Sequence, residues 1–228
     1  MKNKLAGIIL LFLTIVIFSG CKDSDNNINE PGNYINGSGK AVTETRNLSD
    51  CSGLSLLNIG KVYLTQADEQ SVIVEADDNV IGSVITRKEN GLLEIGLPEG
   101  SYSNVTLRFY VSLKTIENIL IEGAGDVECR EPINAVKLFC SINGAGSVVL
   151  KGNGNYLDCL INGAGNINAK DFFVKKCKTV VNGAGNCAVY VTSELDAYVS
   201  GVGNIIYYGN PGTIKSSVSG IGQIKAGL

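Results

Sequence analysis

One column of side chains offers this chain its clearest contact chemistry. Arg130, Lys151, Lys170, Tyr190 and Tyr208 each stand seven residues after the first glycine of a recurring Gly-x-Gly motif. Strand alternation would turn all five to solvent, as three cations followed by two aromatics. Cationic side chains pair with carboxylates and tyrosine rings pack on apolar faces, so sugars with acidic groups suit such a stripe. The plainer alternative is a row of solvated strand residues.

Other chemistries fit less well. A dinucleotide loop needs a third glycine and a following helix, and none of the motifs supplies either. Calcium-binding rolls need a nine-residue period and recurring Asp. The position after the second glycine instead reads Asp126, Ser147, Asn166, Asn186, Asn204 and Gln223, which is too little charge for a hard dication. Asp126, Glu128, Asp158, Asp171, Glu194 and Asp196 read as scattered, sharing no outer column, and the chain has no histidine. A glycosidase carboxylate pair and the commonest proton-transfer group are therefore both missing. The expectation is no catalytic residue, no metal and no cofactor.

The cysteines after Cys21 are Cys51, Cys129, Cys140, Cys159, Cys177 and Cys187. Most fall among Leu, Ile and Val and read as small buried thiols. Cys140 and Cys159 share a column in successive repeats, so they form the one pair within disulfide range.

These residues must be held by the repeat itself. Its copies run Ile121-Glu-Gly-Ala-Gly-Asp126, Ile142-Asn-Gly-Ala-Gly-Ser147, Ile161-Asn-Gly-Ala-Gly-Asn166, Val181-Asn-Gly-Ala-Gly-Asn186, Val199-Ser-Gly-Val-Gly-Asn204 and Val218-Ser-Gly-Ile-Gly-Gln223. Their first glycines are 21, 19, 20, 18 and 19 residues apart, a period that marks a stacked architecture. Apolar residues dominate the even positions on both sides of the glycines, which is strand periodicity. Two strands joined at a Gly-x-Gly corner describe one coil of an all-β, right-handed parallel β-helix with about 19-residue coils. Gly123 and Gly125, Gly144 and Gly146, Gly163 and Gly165, Gly183 and Gly185, Gly201 and Gly203, and Gly220 and Gly222 are its corner glycines. They serve either a positive φ or a site without room for Cβ, with the middle residue filling the corner. Asn143, Asn162 and Asn182 would stack as a hydrogen-bonded amide ladder, between Glu122 at one end and Ser200 and Ser219 at the other.

The N-terminus is a targeting segment. Lys2 and Lys4 precede an apolar run from Leu5 to Phe18, whose 14 residues fall short of the roughly 20 of a membrane span. Phe18-Ser19-Gly20-Cys21 resembles a bacterial lipobox, although leucine is usual where Phe18 stands; the resemblance implies lipidation at Cys21. Lys22-Asp23-Ser24-Asp25 resembles the run that sends some lipoproteins to the outer face of an outer membrane. Residues 22 to 44 are polar and rich in Asn, Gly and Asp, as a flexible linker would be. The expected organisation is a signal peptide at 1–20, a lipidated N-terminus and linker at 21–44, and a β-helix domain at 45–228. Net charge is −3 with no long basic run, which argues against nucleic acid.

Residues 45 to 118 lack the repeat but read as β throughout, an irregular part that caps the solenoid's N-terminal end. Here a family resemblance appears. It rests on Leu54-Ser-Leu-Leu-Asn-Ile-Gly60, Lys61-Val-Tyr-Leu-Thr-Gln66, Asn90-Gly-Leu-Leu-Glu-Ile95, Val111-Ser-Leu-Lys-Thr-Ile116 and the serial Gly-Ala-Gly motifs. Over roughly residues 45 to 228 the chain resembles the putative auto-transporter adhesin head domain family, GIN. The resemblance implies a right-handed β-helix in a secreted or lipid-anchored bacterial protein, and it brings no catalytic residues.

The expected function is a non-enzymatic cell-surface lipoprotein, an adhesin or glycan- or protein-binding scaffold. The expected place is the outer membrane, surface-exposed, or else facing the periplasm. The expected partners are a membrane, through the lipid anchor, and a glycan or surface protein. The alternatives are a polysaccharide-processing lyase or hydrolase on a β-helix, and a self-assembling structural surface protein. A chain stopping at Leu228 without a polar cap would also self-associate weakly through its C-terminal coil.

Overall fold

The computed structural model describes residues 34–48 and 50–228. The signal segment, Cys21 and the acidic run behind it lie outside the described residues. The irregular part forms β1 (Tyr34–Asn36), β2 (Ala41–Arg46), β3 (Gly53–Leu57), β4 (Lys61–Gln66) and β5 (Ser71–Asp77). A short 3-10 turn at Ile81–Ser83 leads to β6 (Ile85–Glu89), β7 (Leu92–Gly96), β8 (Ser101–Ser103) and β9 (Leu107–Leu113). The repeats then form β10 (Asn118–Ile121), β11 (Asp126–Cys129), β12 (Ile133–Ile142), β13 (Ser147–Ile161) and β14 (Asn166–Val181). They close with β15 (Asn186–Val199), β16 (Asn204–Tyr208), β17 (Thr213–Val218) and β18 (Gln223–Ala226). Among the described residues there is no α-helix.

Each repeat is one rung of a parallel β-solenoid. Before the corner, Ile142, Ile161, Val181, Val199 and Val218 stand in one register column. After it, Val127, Val148, Ile167, Cys187, Ile205 and Ile224 stand in another. Because every second residue points inward, these columns form a continuous dry interior. The interior stays buried until the last rung, where Ile214 and Val218 are each 42% exposed.

The long strands are not straight. Their register slips between Val149 and Lys151, and again between Ala169 and Phe173, as the coil passes from one flat stretch to the next. Phe172, fully buried, fills the interior at that bend. It sits against Gly154, where a Cβ would press on its ring at 3.1 Å.

The irregular part caps the rod as the sequence suggests, but in an order that the sequence hides. β3 pairs in parallel with both β7 and β10, and β4 with both β9 and β11. The β7–β9 rung is therefore terminal, although it follows the β3–β4 rung along the chain. Antiparallel strands close this end: β6 on β7, β5 on β9, and β2 on β5. They satisfy edges that a parallel rung would leave open.

The expected linker also changes at its end. From Tyr34 onward it is sheet, with β1 paired to β8 and β2 to β5. Its polar composition misleads because both strands are edge strands with most side chains in solvent. The fully buried Asp77 ties the segment down, accepting hydrogen bonds from the backbone N–H of Gly39 at 2.9 Å and Thr106 at 2.7 Å.

Candidate functional site

The corner glycines are packing devices. None of the twelve has a positive φ. Each lies directly over the backbone of the preceding rung instead. A Cβ on Gly144 would overlap the carbonyl oxygen of Gly123, and one on Gly163 that of Gly144. Those carbonyls are also hydrogen-bonded across the rungs, Ala145 N–H donating to Gly123 and Ala164 N–H to Gly144, both at 2.9 Å. The middle residues do not fill the corner, contrary to expectation. Ala124, Ala145, Ala164 and Ala184 are exposed, and Val202 and Ile221 are 60% and 81% exposed, because the tight stacking turns the middle Cβ outward.

Two polar ladders flank the corner. In the first, Asn143 Nδ2 donates to Glu122 at 2.9 Å, Asn162 to Asn143 at 2.8 Å, and Asn182 to Asn162 at 2.9 Å. Ser200 Oγ donates to Asn182 at 2.9 Å. The second, which the sequence-based expectation omits, runs one residue past the corner through Asn166, Asn186 and Asn204. These amides are engaged along the rod. Two of the acids are ordered rather than scattered: Asp158, Lys178, Asp196 and Lys215 occupy one column with alternating sign. Asp158 and Asp196 thus share a column after all, with a lysine between them.

The five-residue stripe is broken by the bulges. Lys151 stands opposite Asp171, one residue beyond Lys170. Lys170 itself falls in the slipped segment between Ala169 and Phe173. Tyr190 is opposite Phe173 on one side and Tyr208 on the other, and Phe173 and Tyr190 meet edge to face at 4.7 Å. The stripe therefore separates into a cationic end and an aromatic end, because rungs of unequal length place their extra residues at this bend.

At the cationic end, Arg130 joins residues of the irregular part. Its guanidinium lies over the Tyr63 ring at 3.7 Å and 5.3 Å from the Tyr110 centroid. The two rings stack on each other at 5.3 Å, 22° from parallel. Tyr110 OH donates to Glu75 at 2.8 Å, which holds the phenol's pKa above its ordinary value. Arg108 pairs with Glu75, and Lys61 with Glu128 at 3.1 Å, so both nearby acids already have a cation. Neither Tyr63 nor Tyr110 stands out in the sequence; alternation in β4 and β9, which turns both outward, is the signal it carries.

Beyond Gln66 lies a notch of about 680 Å³. It exists because the chain leaves the β4 rung for β5 and does not complete the coil. Ile133–Leu138 of β12 consequently pairs with β13 on one side and, among the described residues, has no strand on the other, since β10 joins β12 only from Phe139. Gln66 takes the place of the missing strand at one residue. Its Oε1 accepts from Asn134 N–H at 2.7 Å, and its Nε2 donates to Asn134 O at 3.1 Å. Glu117, Asn118, Lys137 and Phe139 are among the residues of the notch walls.

The six described cysteines are free and buried, the Cys140 and Cys159 pair included. Burial pushes the Cys129 thiol up to about 12 and that of Cys140 well above its ordinary value. Hydrogen bonding between thiols, with burial, raises Cys159 and Cys187 as well. Such thiols are poor nucleophiles and poor metal ligands, which fits an interior packing role.

Known proteins share this architecture. A putative adhesin from Bacteroides fragilis superposes with a TM-score of 0.70 at 21% identity, covering 84% of this chain and 99% of that one. A putative lipid binding protein from Parabacteroides distasonis superposes at 0.55 and 21% identity, covering 86% and 100%. A putative adhesin from Parabacteroides merdae does so at 0.51 and 18%, covering 86% and 99%. These likenesses show the fold. No curated protein matches the chain. The model of the putative auto-transporter adhesin, head GIN domain, matches residues 52–211, and the chain belongs to that family.

Proposed function

We propose that this protein is the binding head of an exported, lipid-anchored adhesin, displayed at the outer membrane, and that it holds its ligand without transforming it. The observation that carries the reading is the Arg130–Tyr63–Tyr110 stack beside the notch. It is a preformed patch with cation, aromatic faces and amides on a rigid, strand-paired scaffold. Catalysis is the weaker alternative, since the notch walls present a single carboxylate, Glu117, where glycoside hydrolysis by the usual route needs two. Export and anchoring rest on the Lys2–Cys21 segment and on the family.

The test is threefold: metabolic labelling with a fatty acid, protease access in intact cells, and binding of detergent-solubilised full-length protein to immobilised glycans and matrix proteins. Labelling lost in Cys21→Ala, surface cleavage and saturable binding are expected. Absence of all three, or new reducing ends released from a glycan, overturns the reading.

Self-association is a second reading, favoured by one observation. Among the described residues β17 pairs only with β15 and β18 only with β16, leaving an outer edge with Ile214 and Val218 half exposed. Sedimentation should show a concentration-dependent dimer, and a strict monomer at high concentration removes the idea.

A further inference from the structure

We infer that Arg130 anchors a carboxylate-binding site for an acidic glycan, and that the adjoining notch seats the sugars beside the charged one; this rests on the binding-head reading above.

Arg130 stands among acids that are already engaged. Among the described residues its guanidinium makes no ion pair, while Glu75 and Glu128 are taken by Arg108 and Lys61. The guanidinium carbon lies 3.7 Å from the Tyr63 centroid, a cation–π contact that uses the charge and does not consume the N–H donors. Among the described residues no acceptor takes those donors, so a two-pronged fork is available beside the ring. It borders a cavity of about 120 Å³, lined also by the hydroxyl residues Thr65, Ser71 and Ser112. Planar, bidentate and flanked by hydroxyls, this arrangement matches a carboxylate.

The aromatic platform is preset. Tyr63 is stacked on Tyr110, and Tyr110 is fixed by Glu75, so the two rings have little side-chain freedom left to lose on binding. A point-charge lysine would not present the same fork.

The notch makes the ligand a sugar chain rather than a lone acid. Thr65 borders the Arg130 cavity and Gln66 the notch. The same step around the edge is made by Arg130 to Asn134 and by Ser112 to Thr115. At about 680 Å³ the notch falls within the range of roughly 300–1,000 Å³ typical of small-ligand sites. Its walls carry amides, a carboxylate and the half-buried Phe139 ring, groups that bond sugar hydroxyls and pack on a pyranose face.

The test uses detergent-solubilised full-length protein on an array of uronate- and sialate-bearing oligosaccharides, each beside its methyl ester. The carboxylates should bind at least tenfold more tightly than their esters. Arg130→Ala should remove that preference, Arg130→Lys should restore little of it, and Gln66→Ala should weaken acids and esters alike. Unchanged melting in Arg130→Ala confirms that the fold survives. Equal binding of acid and ester, an Arg130→Ala protein that binds within twofold of wild type, or no carboxylated glycan bound at all each overturns the proposal. Cell or matrix adhesion that persists in Arg130→Ala would do so while leaving the binding-head reading in place. Adhesion absent from the wild type would remove that reading itself.

Discussion

The two parts of this rod solve the same corner by opposite means. In the irregular part the corner is Asn58-Ile59-Gly60, and both Asn58 (φ 57) and Gly60 (φ 135) adopt positive φ. In the repeats the corner is Gly-x-Gly, none of its glycines has positive φ, and each is glycine because the previous rung's carbonyl occupies the place of a Cβ. The first corner is a local backbone conformation. The second is a consequence of stacking. Edges differ in the same way: antiparallel strands and the buried Asp77 close the irregular end, whereas the repeats rely on identical neighbours joined by amide ladders. Contact chemistry collects where the two meet, since Arg130 of the first repeat reaches Tyr63 and Tyr110, and Gln66 stands in for a rung the irregular part omits.

That contrast can be broken most severely at a glycine. Gly144→Ala or Gly163→Ala should cost about 3 kcal/mol or more in urea unfolding, or prevent folding. Asn58→Gly keeps the positive φ and loses only the Nδ2 bond to Leu97 O at 2.6 Å, so it should cost about 1 kcal/mol. Equal losses at the two corners would erase the distinction.

Alkaline pH comes next. The folded-state thiols of Cys129, Cys140, Cys159 and Cys187 are raised above the ordinary value of 9.0. Above that pH the unfolded chain releases protons that the folded chain keeps, so stability is present below about pH 9 and is lost as pH rises. Each thiol should contribute a fall of about 1 kcal/mol between pH 9 and pH 10. Urea midpoints at pH 8, 9 and 10 check this against a Cys140→Ala, Cys159→Ala, Cys187→Ala variant, which should have the shallower slope; parallel slopes contradict it.

Smaller still, Asn162→Ala removes bonds to both Asn143 and Asn182 and should cost about 1–2 kcal/mol. Smallest is Lys176→Ala, which loses an exposed pair with Glu194 and should leave the unfolding midpoint where it was. A larger effect for Lys176 than for Asn162 would mean that charge, not the amide ladder, ties the rungs.

Much of the repeat is legible in the residues alone. Ile142, Ile161 and Val181 announce an inward column by type and spacing, and Asn143, Asn162 and Asn182 announce a ladder. The stripe is legible only at its ends. Spacings of 18 to 21 residues reveal that rungs differ in length but not where the surplus goes, so the bulge that expels Lys170 and substitutes Asp171 leaves no sign in them. Tyr34–Arg46 is hidden by its polarity, since edge strands need few apolar side chains.

By itself, then, the sequence determined the period, the interior columns and the glycine corner, because each depends on residues repeated at fixed local spacing. Only the tertiary structure decided the rung order, the outward turn of Ala124 and its counterparts, and the meeting of Arg130 with Tyr63 and Tyr110. Those depend on which distant strand lies alongside, and a parallel neighbour about 4.8 Å away leaves no mark on the linear order of residues.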